Sequence, residues 1–132
     1  MAIIARESNK LLKLCEQAYN RNQRLVAPLA GFPGCDLTGH SIKVAQQNHG
    51  VHYACIKSLV DLLKPDAAFM MMDLSVESNA LGLPVRFPLD ESSTVEEHPV
   101  ESLEDLKNYK RIRILQDSRV ESYIKTVEMM SL

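Results

Sequence analysis

The chain has 132 residues, 45% of them hydrophobic and 24% charged, with a formal net charge of -2. This is the composition of a folded globular protein rather than a disordered one, and the charge gives no electrostatic reason to expect nucleic acid or an anionic membrane as partner. The length suits one domain over residues 1–132 and falls well short of the about 250 residues of a complete α/β barrel.

No apolar run approaches the roughly 18 residues needed to cross a bilayer. The first residues, Met1 to Glu7, carry too short an apolar segment and no basic flank for a secretory signal. Cys15, Cys35 and Cys55 are an odd number at wide spacing, which predicts reduced thiols and a cytoplasmic location.

Residues 5–21 read as an amphipathic helix with Leu11, Leu14 or Cys15, and Ala18 on one face. Arg24 to Ala30 is a short apolar run that suits a first strand, with Pro28 favouring an edge or a strand end. Gly31-Phe32-Pro33-Gly34 is a loop by composition. Thr38 or Ser41 caps a helix running to about Asn48, which His49-Gly50 closes with glycine in the C-terminal place. A second helix from Val51 sets Ala54, Cys55, Leu59 and Leu62 or Leu63 on one side and stops at Lys64-Pro65.

The chain is organised around Asp66 to Gly82. Ala67 to Met72 is an unbroken apolar run, expected to form a strand covered on both faces as in a parallel sheet. Asp73 stands at its end, followed by a short helix over Ser75 to Leu81 with Gly82 as its C′ residue. Pro84 to Phe87 is a short extended piece, and Val95 and Val100 flank either a second short strand or a loop edge. Ser102 and Asp105 form a capping box for another helix. Ile112 to Leu115 is a brief extended segment or the end of that helix. Asp117 or Ser118 opens the last helix, which follows Val120, Ile124, Val127 and Met129 or Met130.

Asp73 is the leading candidate for chemistry. The carboxyl ends of parallel strands are where α/β folds bind ligands, and partial desolvation there is expected to raise a carboxyl pKa toward general acid/base use. The competing structural role is a cap on the helix that follows. His52 and Cys55, three apart on a helix, could touch one metal ion, but no third and fourth ligand stands at recognisable spacing, so burial of Cys55 with His52 at the helix start is preferred. The glycines from Gly31 to Gly39 match neither the dinucleotide nor the P-loop pattern. Lys107, Lys110, Arg111 and Arg113 read as a solvated basic face, and the Met70 to Met72 run as core packing rather than a soft-metal site.

These residues resemble a known family. Asp66 to Gly82, with Pro84-Val85-Arg86-Phe87 behind it, is similar to the uroporphyrinogen decarboxylase superfamily. Ala27 to Gly34 followed by Leu37-Thr38-Gly39 resembles its branch of cobalamin-dependent methyltransferases. The resemblance implies an α/β fold, a partial (β/α)8 (TIM) barrel of N-terminal strands and helices only. It also implies methyl transfer from a methylated corrinoid to a thiol or similar acceptor, with corrinoid and zinc as cofactors of full-length members. Asp73 matches the decarboxylases' essential aspartate and is the catalytic candidate; Gly31, Phe32 and His40 are the substrate-binding candidates.

Two departures limit the transfer. The arginines that bind substrate carboxylates in the decarboxylases' first loop are replaced here by Leu29 or Pro28 and Phe32. The zinc-binding His and two Cys of the methyltransferases have no counterpart, so no metal site and no activity of the isolated chain are expected. The alternative is a non-catalytic relative that binds a ligand or a protein. Either way a second copy, a partner chain or a corrinoid protein is expected to cover what a partial barrel leaves open.

Overall fold

The computed structural model describes residues 2–97, 99–109 and 113–131. Ile112, and Lys110 and Arg111 of the basic cluster, lie outside them, as does the side chain of Leu11. The described elements are seven helices, α1 (Ala2–Asn20), α2 (Pro33–Thr38), α3 (Ile42–Gln47), α4 (His49–Leu63), α5 (Val76–Ala80), α6 (Leu106–Tyr109) and α7 (Ser118–Met130), a 3-10 turn at Ile114–Gln116, and two short strands, β1 (Val85–Arg86) and β2 (Thr94–Val95). The strands pair antiparallel, with Val85 opposite Val95.

Local chemistry explains most element ends. Ser41 caps α3 by accepting from the Val44 N–H, and Asp117 caps α7 by accepting from the Arg119 and Val120 N–H groups, each supplying an oxygen to donors the first turn cannot satisfy itself. Gly82 has φ +89, and the N–H groups of Gly82 and Leu83 return to the Asn79 and Ser78 carbonyls, which closes α5 in the left-handed manner glycine permits.

Two expectations near the first loop are corrected. Pro33 and Gly34 of the expected loop begin α2, because Pro33 occupies the first helical turn, where its missing N–H has no partner to lose. His49-Gly50 opens α4 rather than closing α3: the Asn48 side chain accepts from the Val51 N–H and so starts a new helix.

The expected strands at residues 24–30 and 67–72 are not strands here. The two segments do run alongside in the same direction. The Asp66 N–H donates to the Val26 carbonyl at 2.9 Å, the Val26 N–H donates to the Asp66 carboxylate at 2.8 Å, and five residues further on Gly31 packs against Met71. A continuous ladder fails for two reasons. Pro28 has no N–H to give, and the Met71 N–H donates to His52 Nε2 at 3.0 Å instead of to a neighbouring carbonyl. Nor is the 67–72 segment covered on both faces: Met71 is buried, while Phe69 and Met72 are about half exposed.

The core gathers Cys35, Ala45, Cys55, Ile56 and Met71, with Phe32, Ile42, Val51, Val60 and Met130 packed around it. It lies between α2, α3, α4 and the 67–72 segment. Gly34 lets α2 approach α4 closely, since a Cβ there would overlap the Cys55 carbonyl. Helix α7 lies against α4 and α3, but turned from the expected face. Arg119, Ser122 and Thr126 are buried, whereas Ile124 and Val127 of the predicted apolar stripe are exposed. That rotation builds the site.

Candidate functional site

Asp73 follows the 67–72 segment, and its carboxylate has no solvent exposure. One oxygen, Oδ1, accepts from the Ser75 N–H at 2.9 Å, the Ser75 hydroxyl at 2.8 Å and the Ser93 hydroxyl at 2.9 Å. The other, Oδ2, accepts from Arg119 Nη2 and from the Tyr123 hydroxyl, the latter at 3.1 Å. A buried charge survives only when paired and hydrogen-bonded, and five donors meet that condition.

The partners come from three places. Ser75 precedes α5, Ser93 precedes β2, and Arg119 and Tyr123 lie one turn apart on α7. Arg119 Nη2 also donates to Ser75 Oγ at 3.1 Å and Ser93 Oγ at 3.2 Å. Its Nη1 reaches the Ser75 carbonyl at 3.4 Å and Asn79 Oδ1 at 3.5 Å, and the guanidinium lies 4.7 Å from the Phe87 ring centroid. Its Nε is buried without a partner.

The expected upward shift of the Asp73 pKa is overturned. Burial does push the carboxyl up, but the Ser75 N–H and hydroxyl, the Arg119 guanidinium and the Ser93 hydroxyl together outweigh it and hold it below the ordinary carboxylate range. Asp73 is therefore a fixed anion, unsuited to giving up a proton near neutral pH. Burial pushes the Tyr123 phenol up, reinforced by the Asp73 charge and hydrogen bond, so Tyr123 stays a donor. The helix-cap role of Asp73 is also realised, because its bond to the Ser75 N–H steadies the turn into α5.

Beside Asp73 sits a second buried group. His52 accepts from the Met71 N–H through Nε2, which requires that nitrogen to be unprotonated. Its ring meets Tyr123 edge-on at 4.9 Å between centroids. Burial lowers its pKa to about 4 against a smaller upward pull from Asp73. Cys55 is buried, as the sequence reading prefers, and contacts the Thr38 hydroxyl at 3.2 Å. Cys35 lies beside Cys55, and burial followed by that neighbour pushes its thiol up to about 12, the range of an unreactive buried thiol.

The substrate-binding candidates are dispersed. Gly31 is buried against Met71, Phe32 packs on the core, and His40 is exposed and shares no hydrogen bond with the Asp73 cluster among the described residues. An open cavity of about 300 Å³ does adjoin the cluster, lined by Gln47, Asn79, Phe87, Ser118 and Arg119.

Ser93, Arg119 and Tyr123 were missed by the sequence reading. Arg119 did carry a signal: a cation in the first turn of a helix opposes the macrodipole, so its presence there calls for a tertiary partner.

A buried carboxylate held by donors from a short helix, a hairpin and the last long helix defines a polar site on a mainly helical domain. Residues 35–131, more than half of the chain, match the family model described as Uroporphyrinogen decarboxylase (URO-D). The chain belongs to the uroporphyrinogen decarboxylase family. The matched span holds Asp73, Ser93, Arg119 and Tyr123 and begins after Gly31 and Phe32. No curated protein and no solved structure matches the chain. Among the described residues, no helix is long and apolar enough to cross a membrane.

Proposed function

We propose that the chain is one wall of a uroporphyrinogen decarboxylase-like cavity, the N-terminal part of a (β/α)8 barrel from the corrinoid methyltransferase branch, and that it does not turn over alone. The observation that carries this reading is the Asp73 carboxylate, held as an anion at the end of the 67–72 segment, where the resemblance puts the family's essential aspartate. Family membership supports it, as does the same-direction course of residues 26–31 and 66–71, since parallel neighbours are the repeating unit of such barrels.

The cofactors of full-length relatives fit these residues poorly. Among the described residues no three His, Cys, Asp or Glu come together, so a zinc ion, which would supply a stabilised thiolate, lacks its donor set. The cavity of about 300 Å³ beside Arg119 is at the small end of the about 300–1,000 Å³ typical of small-molecule pockets and does not enclose a corrin ring. The chain's own residues keep a negative charge at Asp73 and hold Arg119 and Tyr123 around it.

The test is demethylation of methylcobalamin by a thiol, with zinc added. The isolated chain is expected to match the buffer rate. Addition of a C-terminal methyltransferase fragment carrying the His and two Cys is expected to raise it. Turnover by the chain alone, or none in the mixture, overturns the proposal.

A second reading, a non-catalytic interaction module that pairs with another copy or a partner chain, is favoured by the exposed Phe69, Met72, Leu74, Ile124 and Val127. Large apolar side chains left exposed suit a contact surface. Sedimentation of a well-folded monomer at micromolar concentration would count against it.

A further inference from the structure

A carboxylate at the end of a strand is ordinarily held in place by the ladder bonds of the strand itself. Residues 67–72 have no such ladder. Among the described residues, the Met71 N–H is the one backbone donor of this segment with a partner, and that partner is a side chain, His52 Nε2 at 3.0 Å. The bond falls two residues before Asp73. After the tie of Asp66 to Val26, it is the one hydrogen bond that anchors the backbone on the way to the carboxylate.

His52 also meets the site from its other side. Its ring stands edge-on to the Tyr123 ring, and the Tyr123 hydroxyl donates to Asp73 Oδ2 at 3.1 Å. His52 is fully buried, and its Nδ1 has no hydrogen-bond partner. The ring therefore forgoes one hydrogen bond while making the one that holds Met71. An apolar residue of similar size would spare that cost but leave the Met71 N–H, itself in the core, without an acceptor. Burial keeps the imidazole neutral near pH 7, as an accepting Nε2 requires.

We propose that His52 is a positioning residue for the Asp73 carboxylate: its Nε2 fixes the Met71 backbone and thereby where the carboxylate stands among Ser93, Arg119 and Tyr123. The role rests on the reading of the Asp73 cluster as a cavity wall and adds to that wall a residue of α4. His52 acts through Met71, with its ring packed on Tyr123, and moves no proton.

The experiment follows the full chain by NMR at pH 7.5. In the wild type, long-range ¹H–¹⁵N spectra show which imidazole nitrogen of His52 carries the proton. Nδ1 is expected, and a protonated Nε2 overturns the proposal without any variant. His52→Phe keeps a ring beside Tyr123 and removes the acceptor, whereas His52→Gln returns an acceptor. The reporter is exchange of the Arg119 Nη protons, because that guanidinium is bonded to Asp73 and not to His52. Measured against the helix amides of Ala45 and Lys64, this exchange is expected to quicken about tenfold in His52→Phe and to return close to the wild-type rate in His52→Gln. Equal acceleration at all three places would make His52 a packing residue and overturn the proposal. Unchanged Arg119 exchange in His52→Phe, or no recovery in His52→Gln, would overturn it as well. No methyl donor or thiol is present, so failure here leaves the methyl-transfer reading to its own assay.

Discussion

Asp73 and Arg119, 46 residues apart in the chain, form a buried ion pair in which Arg119 Nη2 donates to Asp73 Oδ2. Removing one member leaves the other charged and desolvated. Arg119→Met is therefore expected to cost about 3–5 kcal/mol, and Asp73→Asn a comparable amount. The Asp73→Asn/Arg119→Met double variant should lose clearly less than the sum. Urea unfolding of the four proteins measures the coupling; additive losses would show that the pair does not act as a unit.

Stability should also fall with acid in two windows. His52 has its pKa lowered from 6.5 to about 4, so between those values the unfolded chain binds a proton that the folded chain refuses. Its contribution is fully present above about pH 6.5 and is lost as the pH falls toward 4, by up to about 3 kcal/mol at 1.36 kcal/mol per pKa unit. His52→Gln keeps an acceptor for the Met71 N–H and should flatten this window. Asp73, depressed below its ordinary 3.8, contributes stability above that value, and the contribution is lost as the pH falls further. Urea midpoints at pH 7.5, 5 and 3.5 for both proteins check the assignment; an unchanged slope in His52→Gln would refute it.

Two glycines should be intolerant of a methyl group, to different degrees. A Cβ at Gly31 would stand 2.5 Å from Met71 Cγ and 2.7 Å from its Cα, while one at Gly34 would lie 2.7 Å from the Cys55 carbonyl carbon and closer still to its oxygen. Part of the first clash is with a flexible side chain; all of the second is with helix backbone. Thermal unfolding of Gly31→Ala is expected to show a loss of about 1–3 kcal/mol, and Gly34→Ala a larger one. The reverse order would contradict the packing.

Caps and surface ion pairs separate cleanly by magnitude. Asp117→Ala removes the acceptor for two first-turn N–H groups of α7 and is expected to cost about 0.5–2 kcal/mol. Asp61→Ala breaks a pair with Lys57 whose side chains are 48% and 62% exposed, and should cost about 0–1 kcal/mol, less at high salt. Chemical denaturation with and without added salt distinguishes them.

The sequence by itself marked several helix ends and the aspartate around which the polar cluster forms, but not the starts of α2, α4 and α6. Ser41, Asp117, Gly82 and the Ser102/Asp105 box act through neighbours within a few positions, and such local chemistry is legible along the chain. Asp73 was marked by its place after an apolar run, and the resemblance of Asp66 to Gly82 agrees with the family that residues 35–131 match.

Only the tertiary structure decided what that aspartate is. Its ionisation depends on Ser75 beside it and also on Arg119 and Ser93, up to 46 positions away, and desolvation and pairing depend on neighbours in space. Periodicity shows that a helix has two faces; it does not choose between them when one carries Ile124 and Val127 and the other Arg119, Ser122 and Thr126. The buried anion at Asp73 made the polar face the inner one, and the Met71 N–H bond to His52 kept the expected strand out of a ladder for the same reason: a particular partner in space outweighed the local pattern.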